Sequence, residues 1–260
     1  MRPALTPERL RAVYDRAAGR YERWHALATA RSDQRGRELV VGWCVKPGHT
    51  VLDAGGGTGL TAELAARAAE PGGHVVIVDF SEGMLRQAAD RSSDGGESAV
   101  SLAMGDIVGL PFREHQFDSV LSTYSVCPLV SPGQGVREMY RVLKPGGLLG
   151  VAHSSEATSG IVRWLANRVE DLVWHWPQLS LGCRSVEVLP DLLGLGAELV
   201  AERRLGIPLW PFHAFAVRKP MEPASAQPIW GGSAASRGRM RAPRDGGFRT
   251  SGGASPRPRP

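Results

Sequence analysis

The chain has 260 residues, 42% hydrophobic and 22% charged, with 31 Lys plus Arg against 26 Asp plus Glu and a formal net charge of +5. Such a mixture builds one sizeable core and excludes a wholly disordered chain, a collagen-like fibre and a small disulfide scaffold. Cys44, Cys127 and Cys183 are too scattered for a disulfide framework or a four-thiol zinc site.

From the start, Met1 to Leu10 alternates charges with prolines and has no apolar stretch resembling a signal peptide. Residues 1–46 read as a helical cover, in which Tyr14 and Tyr21, seven apart, share one helical face. After the Pro47-Gly48 turn, Thr50 to Ala54 is a short apolar strand that runs into Gly55-Gly56-Gly57-Thr58-Gly59. Leu60 to Glu70 has helical spacing and closes at Pro71-Gly72-Gly73. His74 to Phe80 is a β-branched strand, and Ser81 then caps a helix whose face is Met84, Leu85 and Ala88.

The alternation continues. Ala99 to Met104 and Phe117 to Thr123 are strands, Gly135 to Leu143 is a helix, and Gly147 to His153 follows the Lys144-Pro145-Gly146 turn as a fifth strand. Ile161 to Trp176 is an amphipathic helix, and Ser185 to Leu195 is a shorter one that Pro190 interrupts. Glu198 to Leu205 and Pro211 to Arg218 close the sheet. Apolar strands alternating with helices predict an α/β fold, a doubly wound, mostly parallel seven-stranded sheet with helices on both faces, over residues 47–220. No apolar run reaches the roughly 18–20 residues of a membrane span, so a soluble cytoplasmic protein is expected.

The last segment differs in kind. Of residues 221–260, seven are Gly, six Pro, six Ala, five Ser and seven Arg, with only Glu222 and Asp245 acidic. The first 220 residues hold 24 basic and 24 acidic side chains, so the positive balance belongs to this tail. It has too little apolar content to offset the entropy of ordering and reads as disordered.

In an open parallel sheet, ligands bind beyond the carboxyl ends of the strands, at the switch point. The glycine turn after the first strand lets a ligand approach the backbone. Asp79, at the end of the second strand, stands where a carboxylate can accept ribose hydroxyls. The turn is GxGxG, with Leu60 where a dinucleotide turn would place its last glycine. Asp53, just before it, would repel a pyrophosphate and suits a cationic ligand such as S-adenosylmethionine.

Five ordered segments resemble the class I S-adenosylmethionine-dependent methyltransferases, in the branch of quinone-biosynthesis and phospholipid enzymes, over about Tyr14 to Arg218. They are Val51-Leu52-Asp53-Ala54-Gly55-Gly56-Gly57-Thr58-Gly59; Asp79-Phe80-Ser81-Glu82-Gly83-Met84-Leu85; Gly105-Asp106-Ile107 through Leu110-Pro111-Phe112; Phe117-Asp118; and Arg137 through Leu143-Lys144-Pro145-Gly146-Gly147. The resemblance implies a Rossmann-like fold in which Asp53, Gly55, Gly57 and Gly59 hold the methionine end of the cofactor. Asp79 would bind the ribose, Phe80 and Met84 would pack near the adenine, Asp106 would accept from its amino group with Ile107 against the ring, and Thr123 would complete the site. The stretch from Tyr14 to Tyr21 resembles the family's opening segment; Tyr21 either approaches the sulfonium or, with Tyr14, anchors the helix on the core.

Methyl transfer draws largely on alignment and needs a base only where the acceptor must lose a proton. Ser122, Thr123, Tyr124 and His153 are positioned to serve or are structural, and no metal site is expected. Thr123-Tyr124-Ser125-Val126-Cys127-Pro128-Leu129 departs from the pattern of nucleic-acid amino methyltransferases. A small acceptor is expected instead, and Trp164, Trp174, Trp176 and Trp210 favour an apolar or aromatic one such as a quinone, a lipid or a natural product. Two other readings stay open: a cofactor-binding protein without turnover, and an RNA-associated enzyme using the Arg-rich tail.

Overall fold

Strand and helix alternate in the computed structural model, which describes residues 5–20, 32–94, 100–157, 159–174, 183–208 and 210–221. Contacts divide the chain into Met1–Glu222 and Pro223–Pro260, and every described residue falls in the first unit. Helix α1 (Pro7–Ala17) runs into a 3₁₀ turn (Ala18–Arg20), and α2 (Ser32–Cys44) precedes the sheet. Then come β1 (Thr50–Ala54), α3 (Leu60–Ala69), β2 (His74–Asp79), α4 (Glu82–Asp94), β3 (Val100–Met104), β4 (Phe117–Thr123), α5 (Pro132–Val142) and β5 (Leu143–Ser154). Helices α6 (Gly160–Trp174) and α7 (Leu189–Gly194) lead to β6 (Glu198–Ile207) and β7 (Trp210–Arg218).

The sheet order is β3-β2-β1-β4-β5-β7-β6. The pairs from β3 through β5 are parallel, while β7 runs antiparallel to both β5 and β6. The strand order places β2 on one side of β1 and β4 on the other, so the carboxyl ends of β1 and β4 lie at the switch point of the sheet. Alternate strand residues feed two cores. Val51, Ile77 and Leu121 join α2, α3 and α4 through Val40, Ala65 and Leu85, while Leu52, Val120 and Phe215 join α5 and α7 through Met139 and Leu192.

Some boundaries differ from the sequence expectation. Strand β5 begins at Leu143 rather than after the Lys144-Pro145-Gly146 turn, because the Gly146 N–H donates to the Lys219 carbonyl and the Lys219 N–H to that of Gly147. Helix α5 starts at Pro132, whose fixed φ suits a first turn. Pro190 likewise sits in the first turn of α7 and opens that helix rather than breaking it. Trp176, Tyr21 and all of the tail except Met221 lie outside the described residues. Trp164 is 59% exposed on α6, neither core nor cavity wall.

A missing side chain seats α2 on the sheet. A Cβ on Gly150 of β5 would lie 2.8 Å from the Cys44 sulfur and 3.0 Å from Val40 Cβ, whereas one on Gly42 would meet nothing within 4 Å. Gly150→Ala is expected to lower unfolding stability in urea by about 1–3 kcal/mol through overpacking. Gly42→Ala, inside the same helix, should raise it by up to about 1 kcal/mol. Equal shifts in both variants would contradict this account of the α2 seat.

Candidate cofactor site

The turn after β1 is built from glycines for two reasons. Gly55 (φ +70°) and Gly57 (φ +56°) adopt left-handed backbone conformations. At Gly55 a Cβ would also sit 2.5 Å from Ser125 Cβ and 2.7 Å from Ile107 Cδ1, while at Gly57 it would meet nothing within 4 Å. The N–H groups of Gly55 and Gly56 both donate to the Val78 carbonyl, at 2.7 and 3.2 Å, which folds the turn back over β2.

Asp79 joins that turn to the next one. Its Oδ2 accepts the Gly57 N–H and its Oδ1 the Ser81 N–H, both at 2.9 Å. Burial raises its carboxyl to about 6, against the pull of these backbone donors and with the nearby Asp15 adding to the rise. Ser81 caps α4, its Oγ accepting the Met84 N–H at 3.2 Å and donating to Asp15 Oδ1 at 2.5 Å. Asp15 also accepts the Gly83 N–H. Beside it the Tyr14 ring meets the Phe80 ring edge-on at 5.9 Å, so α1 docks on the start of α4 through one carboxylate and one aromatic pair.

These residues wall a cavity of about 630 Å³, measured with its open mouth, at the carboxyl ends of β1, β2 and β4. Seven residues expected from the sequence line it together: Gly55, Gly57, Asp79, Phe80, Met84, Asp106 and Ile107. Thr123 and Tyr124 complete that set on the β4 side. Asp106 also shapes its own turn, accepting the Val108 N–H at 3.1 Å.

Four of the expected residues are not among those that line this cavity. Asp53 is fully buried and is not a wall residue; its Oδ2 lies where a Cβ on Gly56 would reach 2.7 Å, so it sits behind the turn. Gly59 (φ +86°) is also off the wall: it caps α3, and a Cβ there would press on Ala88 of α4 at 3.3 Å. His153 is wholly buried away from the cavity, and burial pushes its imidazole down to about 4. Tyr21 lies outside the described residues.

Tyr124 faces the cavity, but its hydroxyl donates to the Asp33 carbonyl at 3.2 Å, which does not suit a base. It is one of two non-glycine residues with positive φ among those described (+60°), a conformation that costs energy unless its surroundings fix it. The Ala152 carbonyl accepts its N–H at 2.7 Å, and Phe212 meets its ring edge-on at 5.3 Å. Ser122 is buried, its hydroxyl donating to the Ala54 carbonyl behind the site.

Arg37 was not legible as a site residue. It is buried in α2, donates to Thr61 Oγ1 at 2.9 Å and Thr123 Oγ1 at 2.8 Å, and lies 5.2 Å from the Tyr124 ring centre. Thr61 and Thr123 share a further 2.7 Å hydrogen bond, so a cation from the cover fixes the end of β4 and one wall of the cavity. The only signal in the sequence is the Asp33–Arg37 spacing of four, which is ordinary on a helix surface.

The fold is a seven-stranded, mostly parallel α/β sheet with a glycine-framed cavity at the carboxyl ends of β1, β2 and β4. The sequence model of the ubiE/COQ5 methyltransferase family matches residues 4–166, and the chain belongs to that family. It is 34% identical over 159 residues to the demethylmenaquinone methyltransferase of Clavibacter sepedonicus, a match covering 60% of this chain and 62% of that protein. It is 32% identical over 191 residues to the ubiquinone/menaquinone biosynthesis C-methyltransferase UbiE of Bordetella avium, covering 69% and 73% respectively. The chain thus spans less than two thirds of the first of these relatives. Among solved structures, the [4+2]-cyclase SpnF superposes with a TM-score of 0.59 over 72% of this chain and 81% of that one, at 22% identity, a likeness of fold alone.

Burial raises the Asp53 carboxyl to about 7; Arg37 and the Ala62 N–H oppose the rise and Asp79 adds to it. Neither oxygen has a hydrogen-bond partner, the Ala62 amide falling short of bonding geometry. A carboxyl raised above its unfolded value of about 3.9 stabilises fully only below that value, and the contribution is lost as pH climbs through 7. Wild-type Tm, measured by calorimetry, should therefore fall between pH 5 and 8 more steeply than that of Asp53→Asn, leaving the variant the more stable at pH 8. Parallel pH profiles would show that Asp53 is not the group responsible.

Proposed function

We propose that the chain transfers the methyl group of S-adenosylmethionine to a ring carbon of a reduced, quinone-like acceptor. The observation that carries this is Asp79, held by the Gly57 and Ser81 amides on the wall of the cavity that the glycine turn opens. The residues present fit the cofactor. Each Asp79 oxygen accepts one backbone N–H and keeps a lone pair for a ribose hydroxyl. The uncrowded Gly57 backbone admits the methionine end, Phe80, Met84 and Ile107 offer apolar surface for an adenine, and the exposed Asp106 offers an acceptor for its amino group.

When bound, the cofactor supplies a methyl group on a positively charged sulfur, already activated toward displacement. The chain's part is alignment and exclusion of water. Leu10, Tyr14, Pro128 and Leu129 give the cavity an apolar side suited to a flat ring, in keeping with the names of the quinone-pathway relatives. Tyr124 and Arg37 hold the β4 end that faces it. Asp53 acts through the turn it supports rather than by contact. The C–CH3 bond forms as the S–CH3 bond breaks, and the ring carbon then releases its own hydrogen as a proton to solvent as aromaticity is restored.

We place this activity in residues 47–220, with residues 1–46 as their cover, and in the cytoplasm; no helix among the described residues is long and apolar enough to cross a membrane. Asp79→Ala is expected to weaken S-adenosylhomocysteine binding about 10- to 100-fold in titration calorimetry, the loss of charge-assisted hydrogen bonds. Unchanged affinity would refute the site. With isotopically labelled S-adenosylmethionine and a demethylated naphthoquinol, label should appear on ring carbon; label on oxygen, or none at all, would refute the reaction.

A further inference from the structure

Three groups that play no part in the cofactor cavity converge on the other core, at the carboxyl end of β5. His153 of β5 and His213 of β7 are directly paired across the antiparallel ladder, with ring centres 5.6 Å apart, and both are buried. Glu187 reaches them from the stretch before α7, which the Val186 N–H fastens to the Ser154 carbonyl at 3.2 Å. One ligand atom from each of His153, Glu187 and His213 lies within 4.8 Å of the other two.

The neighbours of the two imidazoles differ from one ring nitrogen to the other. His153 Nδ1 is 2.9 Å from the Ser154 carbonyl, which only accepts, so Nδ1 carries the hydrogen and Nε2 presents a lone pair. That Nε2 is buried without a hydrogen-bond partner. His213 Nε2 lies 3.4 Å from Glu202 Oε2. The opposite nitrogen, Nδ1, is buried without a hydrogen-bond partner and faces Glu187 Oε2 at 3.9 Å. Two buried imidazoles, each with one ring nitrogen lacking a hydrogen-bond partner, and a carboxylate thus gather in one place, an arrangement that a cation would stabilise.

We propose that His153 Nε2, His213 Nδ1 and the Glu187 carboxylate form a binding site for a first-row divalent cation, Zn²⁺ being the best match to two imidazoles and one carboxylate. Bonds of about 2.0–2.2 Å require the ligand atoms to draw in from their present spacing, and Glu187, with its side chain 41% exposed, is free to supply that movement. The supporting contacts are those metal-bound histidines use: a backbone carbonyl behind His153 and a carboxylate behind His213. Arg204 is a cation close enough to affect His153, and the negative charges of Glu187 and Glu202 outweigh it. The site clasps the stretch before α7 to strands β5 and β7, and three protein ligands leave a position for water. It departs from the sequence-based expectation of no metal because its ligands lie in three separate segments and share no spacing motif.

The test uses the full-length, tag-free protein, stripped with chelator and dialysed. Titration calorimetry with ZnCl2 should show one saturable equivalent per chain, and Glu187→Gln should weaken it at least 10-fold. Glu202→Gln, which removes the support behind His213, should cost about 10- to 100-fold. Neither variant alters a buried side chain, so both are expected to fold, as circular dichroism will show. CoCl2 in place of zinc should give visible bands without a thiolate charge-transfer band. No saturable uptake, uptake unchanged in Glu187→Gln, or a thiolate band from Cys127 or Cys183 would each overturn the assignment.

Discussion

The proposed cofactor site depends on one carboxylate bridging two turns. Asp79 takes the Gly57 amide with one oxygen and the Ser81 amide with the other, so the loop leaving β1 and the loop leaving β2 cannot move independently. From this bridge the cap on α4, the docking of Asp15 and the seat of α1 follow in sequence. A cavity framed by the glycine turn, Asp79 and Asp106 is preorganised before any ligand arrives, which is what alignment-driven chemistry requires.

Two acids close in sequence motif and in space have different tasks because their surroundings differ. Asp79 is compensated by backbone donors and opens on the cavity, whereas Asp53 is buried behind Gly56 with neither oxygen bonded. A buried carboxylate without partners is costly, and such costs concentrate where a protein positions a ligand. The chain places its charge against Arg37, itself tied to Thr61 and Thr123, so the ends of β1 and β4 are coupled through one electrostatic pair spanning the turn.

Much of this was legible in the residues. The alternation of apolar strands with helices gave the layered α/β sheet, and the spacing from the glycine turn to Asp79 gave the cavity, because both are written in local pattern. What depends on tertiary packing was not legible. Asp53 looked like a ligand group, and only the path of the turn over β2 places it behind the wall. Tyr124 looked like a base, and only the approach of α2 commits its hydroxyl to Asp33. Arg37 carried no motif, and His153, Glu187 and His213 meet through strand pairing between distant segments that a one-dimensional reading does not bring together.

A likeness of fold to a cyclase does not settle the chemistry, so the site must. The most direct measurement is a crystal structure of the chain with S-adenosylhomocysteine. The account predicts the ribose hydroxyls on the Asp79 carboxylate, the adenine beside Ile107 and Asp106, and Asp53 out of contact behind Gly56. A nucleoside seated elsewhere, or a ribose without Asp79 as its partner, would contradict it.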